Sequence, residues 1–287
     1  MGSFDQGQAG MVSLRAVNEW IGVINSNLGG SNRTAYKATR VSFGGGVAQV
    51  ERDPRQDSNG VQIPDSTLTI QNTRIDFSQG TIIQDGELTH MAISGDGFFA
   101  ITTGTNGVVD TVGNLAIRND IFYTRDGDFR WTVFGTGAAA RTVLTTAGGL
   151  TVLGTGGFAI TRIGSGSTFS ITSSKIGGGA NTFDRTGASV FVAATGDTVE
   201  TIGVFRFANN QALKFSKYGS TVFDNSQAGL GQLAKDVEVI QSNLESSNAA
   251  LNDTLPELSL AQKLFSAVSK IINVHNSNLD VVVNLIR

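Results

Sequence analysis

Leu258-Ser-Leu-Ala-Gln-Lys-Leu-Phe-Ser-Ala-Val-Ser-Lys-Ile-Ile-Asn-Val-His-Asn-Ser-Asn-Leu-Asp-Val-Val-Val-Asn-Leu-Ile-Arg287 reads in sevens. Leu258, Ala261, Phe265, Val268, Ile272, His275, Leu279, Val282 and Ile286 follow one another at steps of three and four without a slip. That is the spacing of a helix face packed against a second helix. A second seam of the same period runs beside it: Leu260, Leu264, Ala267, Ile271, Val274, Asn278, Val281 and Leu285. One seam serves one partner. Two adjacent seams leave only a narrow polar strip of Ser, Asn and Gln, with charge confined to Lys263, Lys270, Asp280 and Arg287. A helix this apolar over most of its circumference has to be enclosed by other helices. The helix is predicted to begin near Thr254, with that hydroxyl as its cap and Pro256 in the first turn.

One partner is visible at the other end of the chain. Leu14, Val17, Ile21, Ile24 and Leu28 again step by three and four, which predicts a helix over 8–28, stopped by Gly29 and Gly30. About twenty residues make roughly 30 Å of helix, against roughly 45 Å for the C-terminal one. An intramolecular hairpin of the two leaves one partner too short to cover the other, still less both of its seams. Each large apolar side chain taken out of water contributes roughly 1.5–3 kcal/mol. A dozen uncovered positions leave on the order of 20 kcal/mol unrealised in a lone chain, as an upper bound. Lateral assembly recovers it, so the helices are expected to become ordered on polymerisation.

Composition points the same way. The chain has 287 residues, of which 16% are charged and 36 are Gly. That mix favours β structure with many turns over a helical enzyme. The net charge of −3 and the scatter of Lys and Arg give no electrostatic case for nucleic acid or an anionic membrane. There is no Cys, which excludes disulfides and thiolate metal sites. No apolar run is long enough to span a membrane. The polar, Gly-rich start has no secretory signal pattern; the protein is expected to stay inside or to leave by a route that needs no cleaved signal.

Between the terminal helices, residues 42–229 read as β, flanked by 1–41 and 230–287. Leu68–Phe77 contains alternating stretches, and Phe98–Thr102, Phe129–Val133, Thr142–Thr145, Phe158–Ile163, Ser189–Ala193 and Thr201–Phe207 are further strand candidates. Asn59-Gly60, Asp85-Gly86, Asp96-Gly97, Asn106-Gly107 and Asp126-Gly127 supply positive φ for tight turns, which predicts an antiparallel meander. No strand–helix alternation is present, against a Rossmann or barrel enzyme. Val237, Ile240 and Leu244 fit either helix or extended chain over 231–251. The fold class is α+β: a central antiparallel β-rich domain flanked by N- and C-terminal helices that form a coiled-coil-like inner layer.

Four blocks in this β region are more specific than its composition. They are Asp76-Phe-Ser-Gln-Gly80, Met91-Ala-Ile-Ser-Gly-Asp-Gly-Phe-Phe-Ala-Ile101, Phe122-Tyr-Thr-Arg-Asp-Gly-Asp-Phe129 and Leu144-Thr-Thr-Ala-Gly-Gly-Leu-Thr-Val-Leu-Gly154. In order, content and spacing they resemble the bacterial flagellar hook and rod axial proteins of the hook–basal body. That family shows a "SQG" turn, an "AI-x-GDGFF" strand pair, a "YTR-x-GxF" strand and "LxT-xxG-xxVLG". Asn27-Leu-Gly-Gly-Ser-Asn-Arg-Thr-Ala-Tyr-Lys37 resembles the family's Asn-rich box. Leu244-Glu-Ser-Ser-Asn248 with Ala261-Gln-Lys-Leu-Phe265 resembles its "LExSN … AQRxF" signature. The likeness covers nearly the whole chain and is weakest over 155–225. Gly30, Arg33, Ala35, Thr89, His90 and Pro256 depart from the pattern, as in a divergent member; Ala35 stands where the family usually has Gly.

The resemblance implies a structural subunit of a tubular filament, closest in size to the distal-rod-like members, exported without cleavage and located in a cell-surface appendage. It implies that the terminal helices pair and pack into an inner tube, with the β domain outside, and that the filament transmits torque. Identical subunits in a helical homopolymer are then the partners, with other axial proteins at the filament ends; no cofactor, metal or catalytic residue is implied. The subunit interface is assigned to Leu14, Val17, Ile21, Ile24, Leu28, Leu258, Leu264, Phe265, Val268, Ile271, Ile272, His275, Leu279, Val282, Leu285 and Ile286.

Two other readings remain: a non-flagellar extracellular filament of the same fold, and a β-rich surface binding module or carbohydrate-active protein. The second wants paired carboxylates in a cleft, and no pair stands out. Metalloprotease, nucleophile-elbow and phosphate-loop motifs do not occur. His90 precedes an apolar strand, on a turn or edge. His275 falls on a seam, where a polar residue fixes register. Asp96, Asp126 and Asp128 fit turns better than a Ca²⁺ loop, which needs more oxygens and a closing Glu. Phe98, Phe99, Tyr123, Phe129 and Trp131 are expected in the sheet core. The Gly-rich runs at 154–157 and 177–179 open no helix and read as loops.

Overall fold

A computed structural model describes residues 3–45, 49–50, 62–63, 67–103, 121–134, 141–154, 160–162, 202–226, 228, 231–234 and 237–285. The strand expected at 189–193, the turns at 59–60 and 106–107, the loop at 177–179 and the last seam residue Ile286 lie outside the described residues. The chain divides into two compact units, one of Met1–Gly29, Ala38–Asp76 and Ala249–Arg287, the other of Gly30–Lys37 and Phe77–Asn248.

The first unit holds helix α1 (Ser3–Gly30), strands β1 (Thr39–Gly45), β2 (Gln49–Val50), β3 (Gln62–Ile63) and β4 (Leu68–Ile75), and, from the far end of the chain, a long C-terminal helix, Leu251–Leu285. Strands β1 and β4 form an antiparallel ribbon with a bulge between Ser42 and Phe43; β2 pairs with β3. Polar side chains fasten the ribbon to α1. Ser13 Oγ accepts the Leu68 N–H at 2.9 Å. Asn27 donates its Nδ2 to the Thr39 carbonyl at 2.8 Å and accepts the Thr39 N–H at 2.9 Å. Trp20 meets Phe43 edge-on, with centroids 5.1 Å apart. Helix α1 begins five residues earlier than expected, so that Gly7 as well as Gly10 lies inside it. A helical Gly costs about 1 kcal/mol relative to Ala, and both positions lie close against the C-terminal helix, Gly10 the more tightly.

The second unit carries β5 (Ile82–Gln84), β6 (Met91–Ser94), β7 (Phe98–Thr102), β8 (Ile121–Thr124), β9 (Phe129–Phe134), β10 (Arg141–Thr146), β11 (Thr151–Val152), β12 (Thr161–Arg162), β13 (Val204–Arg206), β14 (Lys214–Ser216), β15 (Gly219–Asp224), β16 (Gln232–Leu233), β17 (Glu238–Gln241) and β18 (Asn243–Glu245). The C-terminal helix is α2. Among the described residues, ten of these strands form one sheet, whose main path is β12-β10-β11-β7-β8-β15-β14. Every strand pair in the unit is antiparallel. The ambiguous segment 231–251 is extended up to Glu245: β17 pairs with β6, and β18 with β5.

Strand β7 lies at the middle of the packing. Phe99 and Ile101 point into a core with Met91, Ile93, Phe129, Leu144, Val152, Val204 and Val239, against which Trp131 packs. Phe98, on the other face, joins Phe77, Phe207 and Phe223, with centroids 5.6–6.0 Å from its own. Tyr123 is buried beside Phe207 at 4.7 Å, and that burial pushes its hydroxyl pKa up.

The Asp-Gly pairs do not close hairpins as expected. Asp85-Gly86, Asp96-Gly97 and Asp126-Gly127 each join strands that pair elsewhere, and of their glycines only Gly97 has a positive φ. Gly127 serves a different need: a Cβ there would strike the Met91 carbonyl, whose own N–H donates to the Gly127 carbonyl at 3.1 Å. Asp126 supplies the turn, accepting the Asp128 N–H at 3.1 Å.

The start of α2 also differs. The helix opens at Leu251, so Thr254 is an interior residue whose hydroxyl donates back to the Leu251 carbonyl at 3.1 Å, not a cap. Pro256 falls in the second turn, where it has no N–H to give the Asn252 carbonyl. Asp253 in the first turn favours the positive end of the helix dipole.

Candidate functional site: an open helix face and a buried ion cluster

The two seams of α2 have different surroundings. On the first, Ala261 is fully buried, and Leu258, Val268, Ile272, His275 and Leu279 are half-buried; Phe265, at 37% exposure, and Val282 are exposed. The second is open along its length: Leu260, Leu264, Ile271, Val274, Val281 and Leu285 are all exposed, Ile271 at 63% and Leu285 at 79%. Helix α1 explains the difference. A Cβ at Gly10 would lie 2.8 Å from Ile272 Cγ1, and one at Gly7 would lie 3.2 Å from His275 Cδ2. The two glycines form a notch that receives Ile272 and His275, which fixes the first seam towards α1. On α1, Val17 and Ile24 are buried and Leu14, Ile21 and Leu28 half-buried.

This notch makes a paired prediction. Gly10→Leu forces Ile272 aside and is expected to destabilise the helical unit by about 1–3 kcal/mol despite leucine's better helix propensity. Gly22→Ala, where nothing lies within 4 Å, is expected to stabilise it by about 1 kcal/mol. Thermal melts followed by far-ultraviolet circular dichroism separate the two. Equal effects would mean that the notch is not a contact.

The second unit holds an ion cluster that the sequence did not announce. Lys37, Glu245 and Arg125 are buried to 2% exposure or less. Lys37 Nζ lies 2.6 Å from Glu245 Oε1, and Arg125 Nε lies 2.8 Å from Glu245 Oε2. Two cations against one carboxylate leave a net positive charge, and backbone carbonyls solvate it. Lys37 also donates to the Ser78 carbonyl at 2.6 Å. Arg125 donates to those of Gly95 and Gly97, both at 2.9 Å, and of Ile93 at 3.2 Å. Glu245 Oε1 further accepts the Gly80 N–H at 2.8 Å. Charge-assisted bonds of this kind are short and strong, and a buried ion needs such partners to stay charged.

Every member of the cluster comes from a motif block: Lys37 from the Asn-rich box, Ser78 and Gly80 from the turn block, Ile93, Gly95 and Gly97 from the Gly-Asp-Gly-Phe-Phe block, Arg125 from the Tyr-Thr-Arg block, and Glu245 from the Leu-Glu-Ser-Ser-Asn block. Blocks far apart in sequence thus converge on one buried centre. The box is tied down along its length. Arg33 Nη1 donates to Ser220 Oγ and Thr34 Oγ1 to Asp126 Oδ1, each at 2.7 Å, and the Ala35 N–H donates to the Glu245 carbonyl at 2.7 Å. Ala35 has φ +52°. That left-handed conformation costs a residue with a Cβ roughly 1–2 kcal/mol, which accounts for the glycine usual at this position in the resembling family.

His90 sits between two carboxylates, Nδ1 2.7 Å from Asp85 and Nε2 3.3 Å from Asp128. The hydrogen bond from His90 is the main cause holding the Asp85 carboxyl below its ordinary value. Asp126 is raised by burial, against the lowering effect of the Thr34 hydroxyl and the Asp128 N–H. Of the oxygens considered for calcium, those of Asp126 are engaged by Thr34 and backbone and that of Asp128 by His90.

No family model matches the chain. It is 28% identical over 296 residues to the flagellar basal-body rod protein FlgG of Bacillus subtilis (strain 168), a match that takes in 97% of this chain and 98% of that protein.

Proposed function

We propose that the chain, similar over 97% of its length to a flagellar rod protein, is a divergent member of that family and a structural subunit that self-assembles into a tubular axial filament and transmits torque along it. The observation that carries this reading is the open second seam of α2. Six large aliphatic side chains are held in one line on a helix whose neighbouring seam already faces α1. A continuous apolar face of that length marks a protein contact, and identical neighbours that pack head to tail without closing give a filament. The helices of adjacent subunits form a coiled-coil-like inner layer, with the β unit outside. The location is a flagellar appendage, and the partners are copies of this chain, with other axial proteins at the ends.

Electron microscopy of the purified chain at rising concentration tests the proposal. Tubes above a threshold concentration are expected. A chain lacking Leu258–Arg287 is expected to form none while its β unit stays folded. Polymer from the truncated chain would remove the role given to α2, and a full-length chain that stays monomeric at every concentration would remove the proposal itself.

A further inference from the structure

The backbone passes out of the β unit after Lys37, returns at Phe77 and leaves again after Asn248. These three passages are pinned at one place inside the unit. Lys37 and Asn248 both donate to the Ser78 carbonyl, at 2.6 Å and 3.0 Å. The Asn248 N–H donates to the Tyr36 carbonyl at 3.2 Å, and the Ala35 N–H to the Glu245 carbonyl at 2.7 Å. Glu245 Oε1 takes both Lys37 Nζ and the Gly80 N–H, while its Oε2 takes Arg125, which is itself anchored on three carbonyls of the sheet unit.

We propose that the Lys37–Glu245–Arg125 cluster is a latch that makes residues 35–37, 78–80 and 245–248 open and close as one body, so that a pull on any one of the three passages is carried by all of them. The physical reason is the shared carboxylate. Freeing Lys37 alone leaves Glu245 and the Ser78 carbonyl short of a buried cation; freeing 245–248 strands two cations. No segment can leave without exposing a buried charge in the others, and partial opening is therefore the costliest state. Hydrogen-bond networks built on one charged group couple in this way. The inference stands on the inside of the β unit and does not depend on polymer formation.

Native-state hydrogen exchange on the full chain tests it. The amides of Ala35, Gly80, Ser246 and Asn248 each donate to a partner within or beside the cluster, and they are expected to exchange through one opening event with a common denaturant dependence. Glu245→Gln is expected to raise all four rates by the same factor, roughly 10²–10³. Should that variant not fold, Asn248→Ala removes the side-chain bonds to the Ser78 carbonyl and hydroxyl at the rim; it is expected to raise the same four rates together by about 3–10-fold. The latch is wrong if Gly80, the amide bonded directly to the altered carboxylate, responds alone, or if the four amides move by unrelated factors in either variant.

Discussion

Arg125→Ala is expected to lower the stability of the β unit by about 3–5 kcal/mol, a large part of the roughly 5–15 kcal/mol that holds a typical domain together. The size follows from what the substitution leaves behind. The Gly95, Gly97 and Ile93 carbonyls lose guanidinium donors, although Gln79 Nε2 still reaches Ile93 at 3.1 Å. Glu245 keeps Lys37 and Gly80 but loses its second cation. Arg125 is also among the largest fully buried side chains among the described residues, so a cavity is added to the electrostatic loss. Arg125→Met fills much of that space and still orphans the carbonyls. Chemical denaturation followed through Trp131, which packs on the core, measures both. A loss under 1 kcal/mol for Arg125→Ala would mean that water replaces the guanidinium at no cost and that the cluster is not a dry centre.

The second large effect is on association. Ile271→Asp combined with Val274→Asp is expected to raise the threshold concentration for filament formation by roughly 10²–10⁴. That range is two apolar side chains at about 1.5–3 kcal/mol each, converted at 1.4 kcal/mol per factor of ten. Both residues are at least 60% exposed in the single chain, so the melting temperature of the monomer is expected to stay where it was. Lys263→Gln, on the polar strip of the same helix, is the control and is expected to leave the threshold unchanged. Sedimentation across a concentration series reads all three. An unchanged threshold for the double variant would put the subunit contact on another surface.

Much of this architecture was legible in the chain, and the exceptions share a cause. The apolar run at Phe98–Thr102 and the seams of α2 are local patterns, and both elements formed where those patterns lie. Whether Val237, Ile240 and Leu244 belonged to helix or strand was open, because their steps of three and four also suit an amphipathic helix. The decision was made by β6 and β5, about 150 residues upstream, with which Ile240 and Leu244 pair. Asp-Gly is a good turn signal, yet Gly127 answers to the Met91 carbonyl, a constraint that no dipeptide rule contains. Thr254 was a sound cap candidate until Leu251 extended the helix past it.

The ion cluster was hidden for the same reason in sharper form. Lys37, Arg125 and Glu245 are about ninety and then a hundred and twenty residues apart, and none of them looks unusual beside its neighbours. What the sequence did offer was that each ends or centres a block with a specific pattern. A charged residue fixed inside an otherwise turn-and-strand motif was the signal available. As for the two seams of α2, their existence was readable, but which one faces α1 was decided by Gly7 and Gly10, two residues that lie before the first apolar residue of the α1 period, Leu14.

The notch formed by those glycines also sets an order of events during synthesis. Gly7 and His275 are partners at nearly opposite ends of the chain. The residues of the β unit are all made once Asn248 is reached, whereas the notch of α1 has to wait for Ile272 and His275. Domains usually fold from the N-terminus as they emerge, and contacts between distant residues form slowly. Here α1 precedes the β unit in the chain and closes after it, so a chain interrupted between Asn248 and Ile272 carries every residue of the β unit and an α1 whose notch has nothing to receive. Closure of the notch therefore reports that synthesis has passed His275.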